Sequence, residues 1–184
     1  MRRLPQNRKY WYTRVVMNDI VILTATEGKN LELAHSVKQE IDSVGKKAIV
    51  VNIPRLNLPL YSSQTTDQQE ALTSQLESIV DSLVKAPAFV VLSPEYNGST
   101  APTLSNFLAW VSVCTEDFRA CFNGKAAAIM SYSGAGTNVL QIMRLQLSYL
   151  GMNVLGRQLL ANGGKPAKES SIKSIVEELL RLAR

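Results

Sequence analysis

The sequence predicts an α/β protein with a parallel sheet covered by helices on both faces. Short apolar runs alternate with longer amphipathic stretches over residues 19–183. Each run is apolar on successive residues instead of every second one, the pattern of strands buried on both sides. Five such runs alternate with five helical patterns, which is the order of a doubly wound sheet.

The strands are expected at residues 19–24, 47–52, 88–92, 126–131 and 152–155, the last with a continuation to 160 left open. The first helix, over 31–44, stops at Gly45, a residue suited to the position just past a helix end. The second spans 66–84 and opens with Thr66 followed by Gln69, the spacing of a capping box. Pro102 stands at the first position of a helix running over 103–114, where its missing N–H costs nothing. A fourth helix covers 138–150 and ends at Gly151. The last, 171–183, sets Ile172, Ile175, Val176, Leu179 and Leu180 on one face. For five strands the favoured order is 2-1-3-4-5, with ligands outside the carboxyl ends of the strands. That edge carries the loops 24–30, 53–65, 93–101 and 132–137.

With 184 residues, 46% hydrophobic and 19% charged, the chain fits one domain with a real core. The net charge of +5 does not describe that domain. Arg2, Arg3, Arg8, Lys9 and Arg14 lie in residues 1–16 with no acid among them, so residues 17–184 are formally neutral. A nucleic-acid groove is therefore not expected. The segment 1–16 reads either as a basic arm for a polyanion or membrane surface, or as an extension ahead of a functional start at Met17. The expected organisation is a basic extension, 1–16, and one domain over 17–184. Tyr10, Trp11 and Tyr12 fall in the extension. No apolar run approaches the roughly 18 residues of a membrane span. Two cysteines, Cys114 and Cys121, provide neither a disulfide framework nor a metal ligand set, and a reducing cytoplasm is the expected compartment. The only histidine, His35, reads as a helix-surface residue. Phe107 and Trp110 read as core or interface.

Two loops carry potential chemistry. Thr24-Ala25-Thr26-Glu27-Gly28-Lys29-Asn30 joins the first strand to the first helix. Its hydroxyls, amide, glycine and Lys29 at a helix N-terminus suit a phosphate. The alternative is an ordinary cap by Thr26 or Asn30. The loop lacks the glycine patterns of triphosphatases and dinucleotide folds, which favours a phosphate monoester. The second loop, Ser93-Pro94-Glu95-Tyr96-Asn97-Gly98-Ser99, follows the central strand. Pro94 stops that strand, and Asn97-Gly98 favours positive φ, which turns successive N–H groups outward. Such donors suit a ring that gains electron density on reduction, and Tyr96 offers an aromatic face. The alternative is a plain surface turn. No Ser-His-Asp set, metal cluster or poised lysine is evident, so an enzyme built this way would leave the chemistry to a cofactor.

Pro94-Glu95-Tyr96-Asn97-Gly98-Ser99 with Pro102, Leu104, Asn106 and Trp110 resembles the P-E-Y-N-x-S…P-x-L-K-N-x-x-D-W signature of the NADPH-dependent FMN reductase family, which includes chromate, azo and quinone reductases. Leu58-Pro59-Leu60-Tyr61, Ser133-Gly134-Ala135-Gly136 and the helix before Met152 are similar to further family segments in the same order. The resemblance covers most of residues 19–160. It implies a flavodoxin-like three-layer sandwich that binds FMN and takes NADPH or NADH as co-substrate. Thr24, Thr26 and Asn30 would hold the phosphate, with Lys29 added on electrostatic grounds alone. Pro94, Glu95, Tyr96, Asn97 and Gly98 would meet the flavin ring, and Ser133, Gly134 and Gly136 would form its opposite rim. The implied activity passes hydride from NAD(P)H through FMN to a small acceptor: a quinone, azo compound, metal oxyanion or free flavin. The rival is a non-catalytic FMN-binding electron carrier or redox-sensing protein. A homodimer or homotetramer is implied as well. Two departures stand out. The family's first loop, G-S-x-R-x-x-S-x-N, has an Arg that this loop lacks. The signature's Lys and Asp, four apart on one helix, are Ser105 and Ala109.

Overall fold

Both faces of strand β1 (Ile20–Thr24) are covered: all five of its residues are buried. Ile20 and Ile22 join one apolar cluster and Val21 and Leu23 the other. Strand β3 (Ala88–Leu92) is buried in the same way. This is why these strands read as unbroken apolar runs. The computed structural model describes residues 20–62, 64–65, 68–134 and 137–183. The basic segment 1–16 and Gly136 lie outside the described residues.

Helix α1 (Lys29–Ser43) leads to β2 (Ala48–Asn52), a single 3-10 turn (Ile53–Leu56), α2 (Gln69–Lys85) and β3. A two-residue-per-strand hairpin, β4 (Glu95–Tyr96) and β5 (Ser99–Thr100), follows, and then α3 (Pro102–Val113) and α4 (Phe118–Phe122). Strand β6 (Ala126–Tyr132), α5 (Asn138–Tyr149), β7 (Asn153–Val154), β8 (Leu159–Ala161) and α6 (Glu169–Leu182) complete the chain. The main sheet runs β2-β1-β3-β6-β7, with β8 also paired to β6 and every pairing parallel. Counting β7 and β8 as one interrupted strand, the order is the expected 2-1-3-4-5. Helices α1 and α6 pack on one face, while α2, α3, α4 and α5 cover the other. The fold is flavodoxin-like.

The fifth strand departs from expectation. Ala127 pairs with Val154 and Met130 with Leu159, so five residue steps on one side face three on the other. Gly156-Arg157-Gln158 interrupts the apolar run there, and Arg144 of α5 holds the excursion, donating to Val154 O (3.4 Å) and Gln158 Oε1 (3.0 Å). The capping box expected at the second helix depends on Thr66, which lies outside the described residues; α2 begins at Gln69, whose side chain donates to Val113 O at 2.6 Å. Helix α4 is too short for periodicity to announce. It starts where Asp117 Oδ1 accepts from Ala120 N (3.0 Å), and it buries Cys121 and Phe122. His35 is exposed on α1, and Cys114 is buried. Among the described residues no helix is long and apolar enough to cross a membrane.

Candidate functional site

Because every strand of the main sheet is parallel, the four loops named above leave one edge together. The first loop continues β1 through one more ladder bond, Ala25 N to Leu92 O (2.9 Å), and then turns at Gly28. Thr24 is buried, and its Oγ1 donates to Thr26 O at 2.7 Å, which holds the turn from inside. Gly28, at φ 64°, precedes α1, and no side chain caps the helix. The alternative reading, a cap by Thr26 or Asn30, is therefore not what forms, and the first helical N–H groups have no side-chain acceptor, which leaves donors for an anion. A Cβ at Gly28 would meet nothing within 4 Å, so the cradle is open above it.

Asn30 lies at the base of this loop, only 3% exposed. Its Nδ2 donates to Tyr132 O (3.0 Å) and its Oδ1 accepts from Tyr132 N (2.8 Å), which ties the first loop to the end of β6. Lys29 points along the helix surface to Glu32 Oε2 at 2.7 Å, and that partner raises its pKa. Sequence patterns gave no hint of Arg55 at this loop. Arriving from the 3-10 turn after β2, its Nε donates to Glu27 Oε1 at 2.9 Å, and Asn52 Nδ2 donates to the same oxygen at 3.1 Å. The Arg55 hydrogen bond, then that of Asn52, holds the Glu27 carboxyl below the usual glutamate range. Asn52 Oδ1 is left buried without a partner.

The hairpin is built from local chemistry. Asn97 and Gly98 take φ of 50° and 76° between the paired residues Tyr96 and Ser99, a two-residue turn with both central residues left-handed. The central N–H groups of such a turn take no part in the ladder. Buried Ser93 clamps the base: its Oγ donates to Pro94 O (3.0 Å) and accepts from Ala101 N (2.9 Å). Pro94 is buried, Glu95 half-buried, and Tyr96 and Asn97 exposed. Glu95 joins the hairpin to the 132–137 loop twice. Its N–H donates to Ser133 Oγ (3.1 Å), and its Oε2 accepts from Val139 N (3.2 Å) in the first turn of α5. Ser133 is buried and Gly134 exposed on that rim. The structure thus brings Thr24, Asn30, Pro94, Glu95 and Ser133 into one cross-linked edge, with Tyr96 and Asn97 projecting from it and Lys29 turned aside.

Asn106 and Trp110, one turn apart on α3, hold the 57–61 loop. Asn106 Nδ2 and Trp110 Nε1 both donate to Pro59 O (2.9 and 2.7 Å), and Tyr61 N donates to Asn106 Oδ1 (2.8 Å). Tyr61 meets the fully buried Trp110 edge-on, 5.1 Å between centroids. Between this loop, the hairpin and α3 lies a cavity of about 590 Å³. Leu60 and Tyr61 form one wall, Tyr96 and Asn97 another, and Ser105 and Ala109 lie on the α3 side. Its lining residues include no Lys, Arg, His, Asp or Glu. Among the described residues no group of three or more His, Cys, Asp and Glu could hold a metal ion.

A parallel sheet with uncapped helical N–H groups on one loop and a donor-bearing hairpin on a neighbouring one defines a flavodoxin-like α/β architecture. The chain belongs to the NADPH-dependent FMN reductase family, whose profile matches residues 19–166. Solved structures share the fold. A flavoenzyme NAD(P)H:(acceptor) oxidoreductase (FerB) from Paracoccus denitrificans aligns at TM-score 0.68 and 15% identity, over 90% of this chain and 95% of that one. An archaeal flavodoxin aligns at TM-score 0.61 and 17% identity, over 91% and 96%. Rubredoxin oxygen:oxidoreductase from Desulfovibrio gigas aligns at TM-score 0.64 and 13% identity; it covers 91% of this chain, but this chain spans 36% of that protein.

Proposed function

We propose that the protein is an FMN-dependent oxidoreductase that takes a hydride from NAD(P)H and reduces a small, uncharged, planar acceptor. The observation that carries this reading is the uncharged cavity of about 590 Å³ opening beside the donor-bearing tip of the hairpin. The donor set fits the cofactor: uncapped N–H groups at α1 suit its phosphate, and the Asn97–Gly98 amides suit the electron-rich edge of its ring. FMN bound there supplies the redox step, accepting hydride and returning two electrons to the acceptor.

The chain's own residues bind and orient. Thr26 and the first N–H groups of α1 hold the phosphate, while Thr24 and Asn30 keep that loop in shape; Lys29 contributes at longer range. Pro94, Tyr96, Asn97 and Gly98 meet the ring, chiefly through backbone, and Glu95 fixes the hairpin against α5. Ser133 and Gly134 form the far rim. Tyr61 and Tyr96 flank the space for a planar co-substrate, where orientation within about 3–3.5 Å of the reacting atoms does the protein's share of the work. Assembly into a homodimer or homotetramer through α3 would close the cavity's open side, and a cytoplasmic location fits the reduced thiols.

The purified protein is expected to carry or take up FMN and to bleach on anaerobic stopped-flow mixing with NADPH or NADH. A quinone should then restore the colour faster than chromate does. Flavin that binds but bleaches slowly or not at all would instead support an electron carrier.

A further inference from the structure

Glu27 is an acid in the loop that receives the phosphate. Left alone, its charge would repel that ligand. It is not left alone: Arg55, 28 residues away in the 3-10 turn after β2, donates to its carboxylate, and Asn52 donates to the same oxygen. The other acid near the start of α1, Glu32, is paired with Lys29. Among the described residues, Lys29 and Arg55 are thus each matched to an acid, and of these two Arg55 comes from another element. The Arg55 and Glu27 side chains are 77% and 50% exposed, so their pairing adds little to folding stability. Its effect falls on whatever charge binds next to it.

We propose that Arg55 sets the charge of the phosphate loop from outside it, cancelling Glu27 and so making the site selective for a phosphorylated flavin over its unphosphorylated form. This rests on the reading of the loop as an FMN phosphate site. Arg55 is a positioning residue here. It takes the place of a loop arginine electrostatically, by neutralising the acid that the loop contains, and the Asn52 amide keeps that acid turned toward β2. A dianionic phosphate several ångströms from an unmatched carboxylate would lose affinity on the order of tenfold at low salt.

The test is fluorescence titration of the deflavinated full-length protein with FMN and with riboflavin, at low and high salt. Arg55→Gln should weaken FMN about tenfold at low salt and leave riboflavin unchanged. Glu27→Gln should act in the opposite direction and tighten FMN, again sparing riboflavin. The double variant should return near the parent, Arg55→Lys should restore most of the FMN affinity, and high salt should shrink every difference. Thermal midpoints should scarcely move, which separates these effects from misfolding. If both single variants leave the FMN-to-riboflavin ratio unchanged, or if Arg55→Gln weakens both flavins equally, the proposal is overturned while the FMN reading survives. A parent protein that binds neither flavin overturns both.

Discussion

The two loops facing each other across the sheet edge are held in opposite ways. The turn of the hairpin after β3 is set by residues within it, Asn97 and Gly98 at positive φ and the Ser93 hydroxyl closing its base on Ala101, while Glu95 docks that preformed turn on Ser133 and Val139. The loop after β1 is shaped from afar. Asn30 grips Tyr132, the Thr103 hydroxyl donates to Ala25 O, and Arg55 and Asn52 hold Glu27. A self-determined loop can be recognised from a short string of sequence. A loop assembled by distant partners keeps its shape while its own residues change, and this one keeps an open cradle without the family's arginine.

The sharpest break of the comparison is Asn30→Ala. It leaves the Tyr132 N–H and C=O without partners next to the core, and each unpaired buried group costs about 1–3 kcal/mol. A total loss of about 2–4 kcal/mol is expected from urea unfolding of the apoprotein, and a loss below about 1 kcal/mol would mean that the long-range grip matters less than the geometry suggests. Replacing Asn97-Gly98 with Ala-Ala attacks the other loop. Non-glycine residues forced left-handed cost roughly 1–2 kcal/mol each, so the tip should change conformation instead. The sheet is not involved, so stability should fall less than for Asn30→Ala, while FMN retention should drop at least tenfold. Unchanged flavin content in that variant would remove the hairpin from the site.

Trp110→Phe probes the wall between the regions. It removes the indole bond to Pro59 O but keeps an aromatic partner for Tyr61. A neutral hydrogen bond of this kind contributes about 0.5–1.5 kcal/mol. The larger consequence should be a raised acceptor KM with little change in the rate of flavin reduction, because the 57–61 loop lines the cavity. An equal fall in both half-reactions would assign Trp110 to the core alone. A still smaller signal concerns Cys121, whose thiol burial pushes above the usual range. Neither it nor the buried Cys114 should react with a thiol reagent at neutral pH until the protein unfolds.

The same contrast explains what the sequence made legible. The strands of the sheet and its order follow from apolar runs that need cover on both faces. The hairpin site follows from a motif whose residues touch each other. Pro102 at the start of α3 was equally local. The split fifth strand was not, since nothing in residues 152–161 specifies how many of them pair with β6. Nor was the bond from the Gln69 side chain to Val113, 44 residues away. Asn30 could be placed on the right loop, yet its partner Tyr132 lies 102 residues on. Arg55 is illegible for the same reason: its significance depends on Glu27, and only folding makes them neighbours.

The smallest effect expected here is also the most direct reading of that neighbourhood. Arg55, and after it Asn52, hold the Glu27 carboxyl below its ordinary value. A carboxyl with a lowered folded-state pKa is less protonated in the native than in the unfolded chain. Its stabilising contribution is therefore complete above the unfolded value, near 4.5, and is lost as pH falls through the lower folded value. At so exposed a position the stability change will be slight, so the titration itself is the better observable. In the parent, NMR of the Glu27 carboxyl should show a midpoint below that of a free glutamate. Arg55→Gln should move it upward. If Glu27 titrates identically in both proteins, the two side chains do not pair in solution, and the loop after β1 loses the remote cation that sets it apart from the hairpin.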